Sequence, residues 1–290
     1  MNKVKSASEA IGQLEDGMTI GIGGWGPRRK PMALVREILR TNLNDLTLVS
    51  YGGADVGMLC AAGRVSKLIF AFVSLDFIPL EPFFRQARQS GKLDVLEIDE
   101  GMMLQGLRAA AWRIPFIPTA VGLGTDIIEK TSEIKMTNSP YDNKEWVAMP
   151  ALDLDAALIH VDHADCRGVC QISGPDHYMD DWFARAAQNT IVSCDELVPE
   201  SFFNDENAAR KVFWERAVTD SVVLIAGGAH PSSCAPLYGF DSEHFRSYAG
   251  FAKTGGIESY LEAYLGRDEN DYQSKVGGLE VILNLPLPTY

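Results

Sequence analysis

The sequence has little positive charge and no long apolar segment. Lys and Arg number 26 against 39 Asp and Glu, which gives the 290 residues a formal net charge of −13. Because duplex binding requires a basic face that displaces counterions, we do not expect nucleic acid as a partner. No apolar run approaches the roughly 18 residues that span a bilayer. An anionic membrane surface would also repel this chain, so no membrane partner is expected.

Cysteine is scarce as well. There are five cysteines, an odd number, scattered along the chain, which favours free thiols in a reducing compartment. The first residues lack the apolar core of a signal peptide, so the expected location is the cytoplasm. Apolar residues make up 46% of the chain. A chain of this length and composition needs neither disulfides nor a metal to fold.

Strand and helix patterns alternate along most of the sequence. A strand over Met18–Ile22 runs into a glycine-rich turn, and a helix is predicted over Pro31–Arg40. Prolines and glycines in 114–150 interrupt the alternation and predict a loop-rich excursion with hairpins. The whole pattern predicts a single α/β domain over 1–290, with an open, mostly parallel sheet covered by helices on both faces. An extended C-terminal tail is predicted at about 279–290.

The glycine-rich turn is the first candidate site. Its residues are Gly23, Gly24, Trp25 and Gly26, and it lies where ligands bind in open α/β sheets, at the carboxyl end of a strand. Main-chain N–H groups at such a turn can hold an anion or a developing oxyanion. The glycine spacing is not a standard nucleotide fingerprint. The alternative is a tight turn without a ligand.

A basic cluster follows this turn directly. Arg28, Arg29 and Lys30 form the densest positive segment of an acidic chain, and a ligand that carries phosphates requires such a local reversal of charge. Cations at a helix start interact unfavourably with the helix dipole, which favours a role for them other than stabilising the helix, such as ligand binding. The alternative is a solvated charge run.

Glu100 is the candidate catalytic residue. Asp99 can cap the following helix, and Glu100 then falls in its first turn, where the helix dipole lowers the pKa of a carboxyl. The rest of the predicted helix is apolar or small, which indicates a largely buried helix. Burial opposes the dipole and can produce a general base. The alternative is a capping role worth up to about 1 kcal/mol.

Histidines and cysteines contribute two further hypotheses. His160, His163, Cys166 and Cys170 are zinc-ligand types, but a spacing of three places the two histidines on opposite faces of a strand. We therefore expect a hairpin edge and no metal site. Cys234 lies near His230 in the sequence, and a Cys–His nucleophile pair is a further hypothesis there.

Three segments resemble the alpha subunits of family I CoA-transferases. They are the start of the chain from Gly17 to Gly26, the segment from Ile114 to Asp126, and Gly227 to Cys234, which looks like the late loop of the glutaconate branch. The resemblance covers about residues 1–265. It implies a CoA-transferase-like fold and a beta subunit of the same fold as partner, in an α2β2 assembly.

Two motifs, Gly24–Met32 and Asp99–Met102, resemble a branch of this family that forms hydrolases. These enzymes open a ring of a steroid-derived CoA thioester in cholesterol catabolism, and the glutamate of the second motif is catalytic. The resemblance thus implies Glu100 as the base for hydrolytic, retro-Claisen C–C cleavage. It also implies an acyl-CoA substrate held by the glycine-rich turn, by Arg28 and Arg29, and by Gly124. No metal and no separate cofactor is expected, since CoA is part of the substrate.

Two other functions stay open at this point. One is the alpha subunit of a CoA-transferase that moves CoA between small carboxylic acids, whose catalytic glutamate would lie on the beta subunit. The other is a ligand sensor or structural partner that kept the fold without catalysis.

Overall fold

The computed structural model describes residues 2–175 and 177–287. Strands and helices alternate over the first part of the chain, and the main sheet draws strands from both halves. The strands are β1 (Thr19–Ile22), β2 (Leu46–Gly52), β3 (Val65–Val73), β4 (Asp94–Glu97), β5 (Phe116–Thr119), β6 (Lys135–Asn138), β7 (Glu145–Pro150), β8 (Leu154–Ala164), β9 (Cys170–Gln171), β10 (Ala187–Leu197) and β11 (Ser221–Leu224).

The main sheet has the strand order β11-β10-β8-β1-β2-β3-β4, and these neighbours are all parallel. The short β9 pairs antiparallel with β8. The chain starts in the middle of the sheet at β1, moves outward to β4, and returns to β1 through β8. The strand order therefore reverses between β1 and β8, and such a switch point is where open α/β sheets bind ligands.

Helices cover both faces of this sheet. They are α1 (Ala7–Ile11), α2 (Met32–Arg40), α3 (Ala54–Ala61), α4 (Pro82–Gln89), α5 (Glu100–Ala111), α6 (Asp126–Lys130), α7 (Asp180–Ala186), α8 (Glu206–Ala209), α9 (Ser242–Thr254), α10 (Gly256–Tyr264), α11 (Glu269–Lys275) and α12 (Leu279–Leu283), with a 3₁₀ turn over Glu200–Asn204. Leu48 packs into the core under α2, α3 and α4, whereas Val49 packs into the core under α5 and α7. This alternation follows from the two-residue period of a strand. The predicted fold class is confirmed.

Residues 114–150 hold more regular structure than loops with hairpins. They form a separate antiparallel sheet of order β5-β7-β6, and α6 precedes β6. Val147 and Met149 of β7 are buried and join the core beside α5. The predicted hairpins are confirmed, and the excursion packs against the main domain through this apolar strand face.

The C-terminal prediction is wrong over Leu279–Leu283, which is helical instead of extended. Ile282 on this helix is buried against Ala229, Cys234 and Tyr238, so a local apolar contact stabilises the helix turn. The last predicted tail residues, 288–290, lie outside the described residues. Within the parts that are described, no helix combines the length and apolar character needed to cross a membrane.

Candidate active site

The glycine turn lies at the switch point, and the chain itself occupies its main-chain donors. The N–H of Gly23 donates to Leu158 O (2.9 Å), and the N–H of Gly24 donates to Asp180 Oδ1 (2.8 Å). Trp25 N–H donates to Arg28 O (2.9 Å), and Gly26 N–H donates to a carbonyl of β2 (3.2 Å). The expectation that these N–H groups hold an oxyanion is therefore wrong. The turn is a rigid support, and a ligand contact from Trp25 stays a prediction.

Two of the three basic residues are internal ion-pair partners. Arg29, 1% exposed, pairs with the buried carboxylate of Asp180 and donates to His160 O (2.9 Å). Lys30, 0% exposed, lies 3.1 Å from Asp55 and 2.8 Å from Ser50 Oγ. Burial costs a charge several kcal/mol unless it is paired, so these partners account for both side chains. The interpretation of 28–30 as an exposed anion-binding cluster is thus wrong for these two positions.

Arg28 is the exception within this cluster. Its side chain is partly exposed and forms an ion pair with Asp76, which is exposed beyond the end of β3. A carboxylate partner reduces the net positive field that an anionic ligand would meet. Contact between Arg28 and a substrate stays a prediction.

Glu100 begins α5 as predicted. Asp99 is the N-cap, and its carboxylate accepts the N–H of Gly101 (2.7 Å). The Glu100 side chain is exposed, yet its pKa is raised, first by desolvation and then by the neighbouring charge of Asp99. The expected lowering by the helix dipole is thus outweighed. A carboxylate with a raised pKa is a stronger base for taking a proton from water.

Tyr51, at the end of β2, ties this helix start to the sheet. Its hydroxyl donates to the carbonyl oxygen of Glu100 (2.9 Å). Burial raises the pKa of Tyr51 well above its ordinary value, with a smaller contribution from the charge of Glu100. Tyr51 thus stays a neutral donor that fixes the backbone of the candidate base.

The loop after β5 provides main-chain groups next to Glu100. A Cβ built on Gly101 would lie 3.2 Å from Val121, which places this loop against the first turn of α5. Gly124 is exposed and has a φ of +74°. Among the described residues, neither Gly122 nor Gly124 donates a main-chain hydrogen bond. This loop, and not the turn at 23–26, can therefore offer donors to an oxyanion.

The predicted His–Cys group is a hairpin edge. Asp165 to Gly168 form the turn between β8 and β9. The His163 ring stacks on Phe202 (centroids 5.2 Å apart), while Cys170 Sγ lies 3.7 Å from a threonine hydroxyl. The four side chains thus have separate environments, and the hairpin interpretation is confirmed.

A different buried group has the donor types of a metal site. His160, Asp195 and Cys234 bring their ligand atoms within 4.8 Å of one another. However, the two His160 ring nitrogens already lie 2.9 Å from Ser193 Oγ and 2.9 Å from Asp195 Oδ2. A metal at His160 would have to break one of these contacts. The network is best explained as a hydrogen-bonded link between the sheet and the loop that carries Cys234.

The Cys234–His230 pair is not formed. Cys234 Sγ donates to Asp162 Oδ1 (3.2 Å), whereas His230 contacts Tyr272 Oη (2.7 Å) and Asp241 Oδ2 (3.1 Å). Burial raises the pKa of the Cys234 thiol well above its ordinary value. The thiol is therefore protonated and unsuited to nucleophilic attack, and this hypothesis is wrong.

Comparison with known proteins identifies the family of this chain. Residues 4–223 match the Coenzyme A transferase family, and the chain belongs to that family. The IpdA subunit of the cholesterol ring-cleaving hydrolase from Rhodococcus jostii is 43% identical over 279 residues, which cover 93% of this chain and 94% of that relative. The corresponding subunit from Mycobacterium tuberculosis is 42% identical over 283 residues, 95% of this chain and 97% of the relative.

A solved structure supports the same class. Glutaconate coenzyme A-transferase from Acidaminococcus fermentans superposes with a TM-score of 0.91 at 28% sequence identity, and the match covers 99% of this chain and 96% of that chain. The resemblance inferred from the three sequence segments is confirmed.

Proposed function

We propose that the chain is the alpha subunit of a heteromeric hydrolase that opens a ring of a steroid-derived CoA thioester. The observation that carries this proposal is the exposed carboxylate of Glu100 with a raised pKa at the carboxyl edge of the sheet. The identity of 43% and 42% to two cholesterol ring-cleaving hydrolase subunits supports the substrate class.

In the proposed reaction, Glu100 takes a proton from water, and the water oxygen bonds to a ring carbonyl carbon. The ring bond from that carbon to the carbon alpha to a second carbonyl then breaks. Its electron pair forms an enolate, and the enolate carbon takes the proton back from Glu100. One new carboxyl group results, and the thioester is retained. N–H groups of the loop at Gly122 and Gly124 would stabilise the developing negative charge.

The proposal includes a partner and a location. A beta subunit of the same fold would complete the enzyme, in line with the subunit names of the relatives. No separate cofactor is required, because CoA enters as part of the substrate. A reducing compartment such as the cytoplasm is supported by the five cysteines, all of which are free thiols.

The test uses the complex with its beta subunit and a bicyclic steroid-derived CoA thioester in ¹⁸O water, with no carboxylate acceptor. We expect one ¹⁸O in a new carboxylate, detected by mass spectrometry, and a retained thioester. Glu100→Gln should lower the rate by about 10²–10⁴, while Glu129→Gln, an exposed glutamate on α6, should not. Normal activity of a folded Glu100→Gln complex would remove the catalytic role.

CoA transfer between small carboxylic acids is the second candidate, favoured by the TM-score of 0.91 to glutaconate coenzyme A-transferase. In that case no product forms until acetate or succinate is added, and a new acyl-CoA then appears. Inactivation by borohydride in the presence of acyl-CoA would support this candidate, whose reacting glutamate is expected on the partner subunit.

A further inference from the structure

Four aromatic side chains form a continuous cluster beside Glu100, which we call the aromatic wall: Trp25, Tyr51, Phe72 and Tyr178. The Trp25 ring stacks on Tyr51 (centroids 4.8 Å apart, interplanar angle 16°) and on Tyr178 (5.2 Å, 19°). Phe72 lies 4.8 Å from Trp25 in a tilted arrangement. The wall contacts α5 directly, because the hydroxyl of Tyr51 is bonded to the backbone of Glu100.

Burial differs across the wall in a consistent way. Tyr51 is 0% exposed, whereas Trp25, Phe72 and Tyr178 are all only half-buried. The stack thus extends from the interior to the surface at the carboxyl edge of the sheet. Large aromatic rings that remain partly exposed at this edge are the usual lining of a small-molecule site.

The main chain holds Trp25 firmly in this position. Trp25 and Arg28 exchange two hydrogen bonds of 2.9 Å, and Gly26 N–H is bonded to the carbonyl of Tyr51. Since the turn uses its N–H groups internally, Trp25 is the part of it that remains available to a ligand. A fixed aromatic side chain loses little entropy when a rigid ligand packs against it.

We propose that the aromatic wall binds the ring portion of the acyl group and makes the site selective for cyclic over open-chain CoA thioesters. The inference rests on the proposed function and adds to it the residues that select the substrate. Trp25 and Tyr178 are the specificity-determining side chains, and Tyr51 is a positioning residue that acts through Glu100. Flat apolar rings gain more contact from a planar aromatic surface than a flexible chain, which must also be ordered on binding.

The experiment compares two substrates in the complex with the beta subunit. One is the bicyclic CoA thioester, and the other is an open-chain CoA thioester with the same dicarbonyl group. Trp25→Leu and Tyr178→Leu should each lower kcat/KM for the cyclic substrate by about 10-fold or more, mainly through KM. The value for the open-chain substrate should change much less. Trp25→Phe, which keeps an aromatic face, should retain most of the selectivity.

Trp112→Leu is the matched control. Trp112 follows the last residue of α5, is 57% exposed, and lies about 18 Å along the helix from Glu100. If Trp25→Leu and Tyr178→Leu lower kcat/KM equally for both substrates, or lower it for neither, the proposal is overturned. Failure of the proposed function appears differently, as no turnover of either substrate by the wild-type complex. Equilibrium binding of the cyclic thioester then tests the aromatic wall without turnover. An equal Kd for wild type and Trp25→Leu overturns the proposal.

Discussion

Removal of the Asp180 carboxylate should destabilise the protein more than removal of an exposed ion pair. Asp180 is buried at the start of α7, accepts the N–H of Gly24 at 2.8 Å, and pairs with Arg29. In Asp180→Ala the guanidinium stays buried without this carboxylate, a change that costs about 3–5 kcal/mol. The N–H of Gly24 also loses its acceptor, which adds about 1–3 kcal/mol in a buried site.

Two contacts limit this loss. Arg29 keeps its hydrogen bond to the carbonyl of His160, and the charge of Asp162 still favours the cation. We therefore expect a total near the lower end of the combined range, about 4–5 kcal/mol of unfolding free energy. Since domains are stable by about 5–15 kcal/mol, the variant should still fold. Asp180→Asn keeps an acceptor for the N–H of Gly24 but not the negative charge, so it should lower the unfolding free energy less than Asp180→Ala does.

The assay is equilibrium urea denaturation, with the unfolding free energy from linear extrapolation. The control is Glu243→Ala, which breaks an ion pair whose carboxylate is 83% exposed and should cost less than about 1 kcal/mol. A loss for Asp180→Ala no larger than that of the control would refute the account of the turn as held by a buried charge.

Two further predictions concern the helices beneath the sheet. Gly57→Ala in α3 should destabilise the protein by about 1–3 kcal/mol despite the better helix propensity of alanine, because its Cβ would lie 2.2 Å from the buried carboxyl of Glu81. Gly250→Ala in α9 should instead stabilise the protein by up to about 1 kcal/mol, because a Cβ there would meet nothing within 4 Å. Equal changes in the unfolding free energy of the two variants, measured by urea denaturation, would contradict this account of the two glycines. Burial raises the pKa of Glu81 to about 7 from an ordinary 4.5, so the native state binds the proton more tightly and the unfolding free energy should fall as the pH rises through this interval. Glu81→Gln should flatten that fall between about pH 5 and about pH 8, and an unchanged slope would show that another group causes it.

Much of the fold could be predicted from local patterns. Helix α5 begins at Glu100 because Asp99 supplies its cap, and this start was visible in the sequence. Similarly, Pro31 immediately precedes α2, since its missing N–H is not needed there. Such signals act over a few residues, which is the range that a sequence pattern reports directly.

The remaining features depend on residues far apart in the chain. Arg29 and Lys30 have the composition of an exposed basic run, and only contacts with Asp180 and Asp55 make them internal. Tyr51 contacts the backbone of Glu100 across 49 positions. No local spacing encodes such pairings, so the aromatic wall and the occupied donors of the turn could not be predicted. The sequence shows that the helix dipole and burial act in opposite directions on the pKa of Glu100, but which of them is larger depends on tertiary contacts, and in the structure desolvation is the larger effect.

The place of β1 in the middle of the sheet has a consequence for how the protein is made. One edge of β1 pairs with β2, where Ile20 faces Leu48, but the other edge awaits β8, where Ile20 faces Ala156. At about 5–20 residues per second, a ribosome needs roughly 7–27 s to supply the missing strand. The turn that carries Trp25 waits longer still, until Asp180 emerges. A nascent chain thus exposes one unpaired edge of β1 for many seconds, and unpaired strand edges are among the surfaces that chaperones protect during translation.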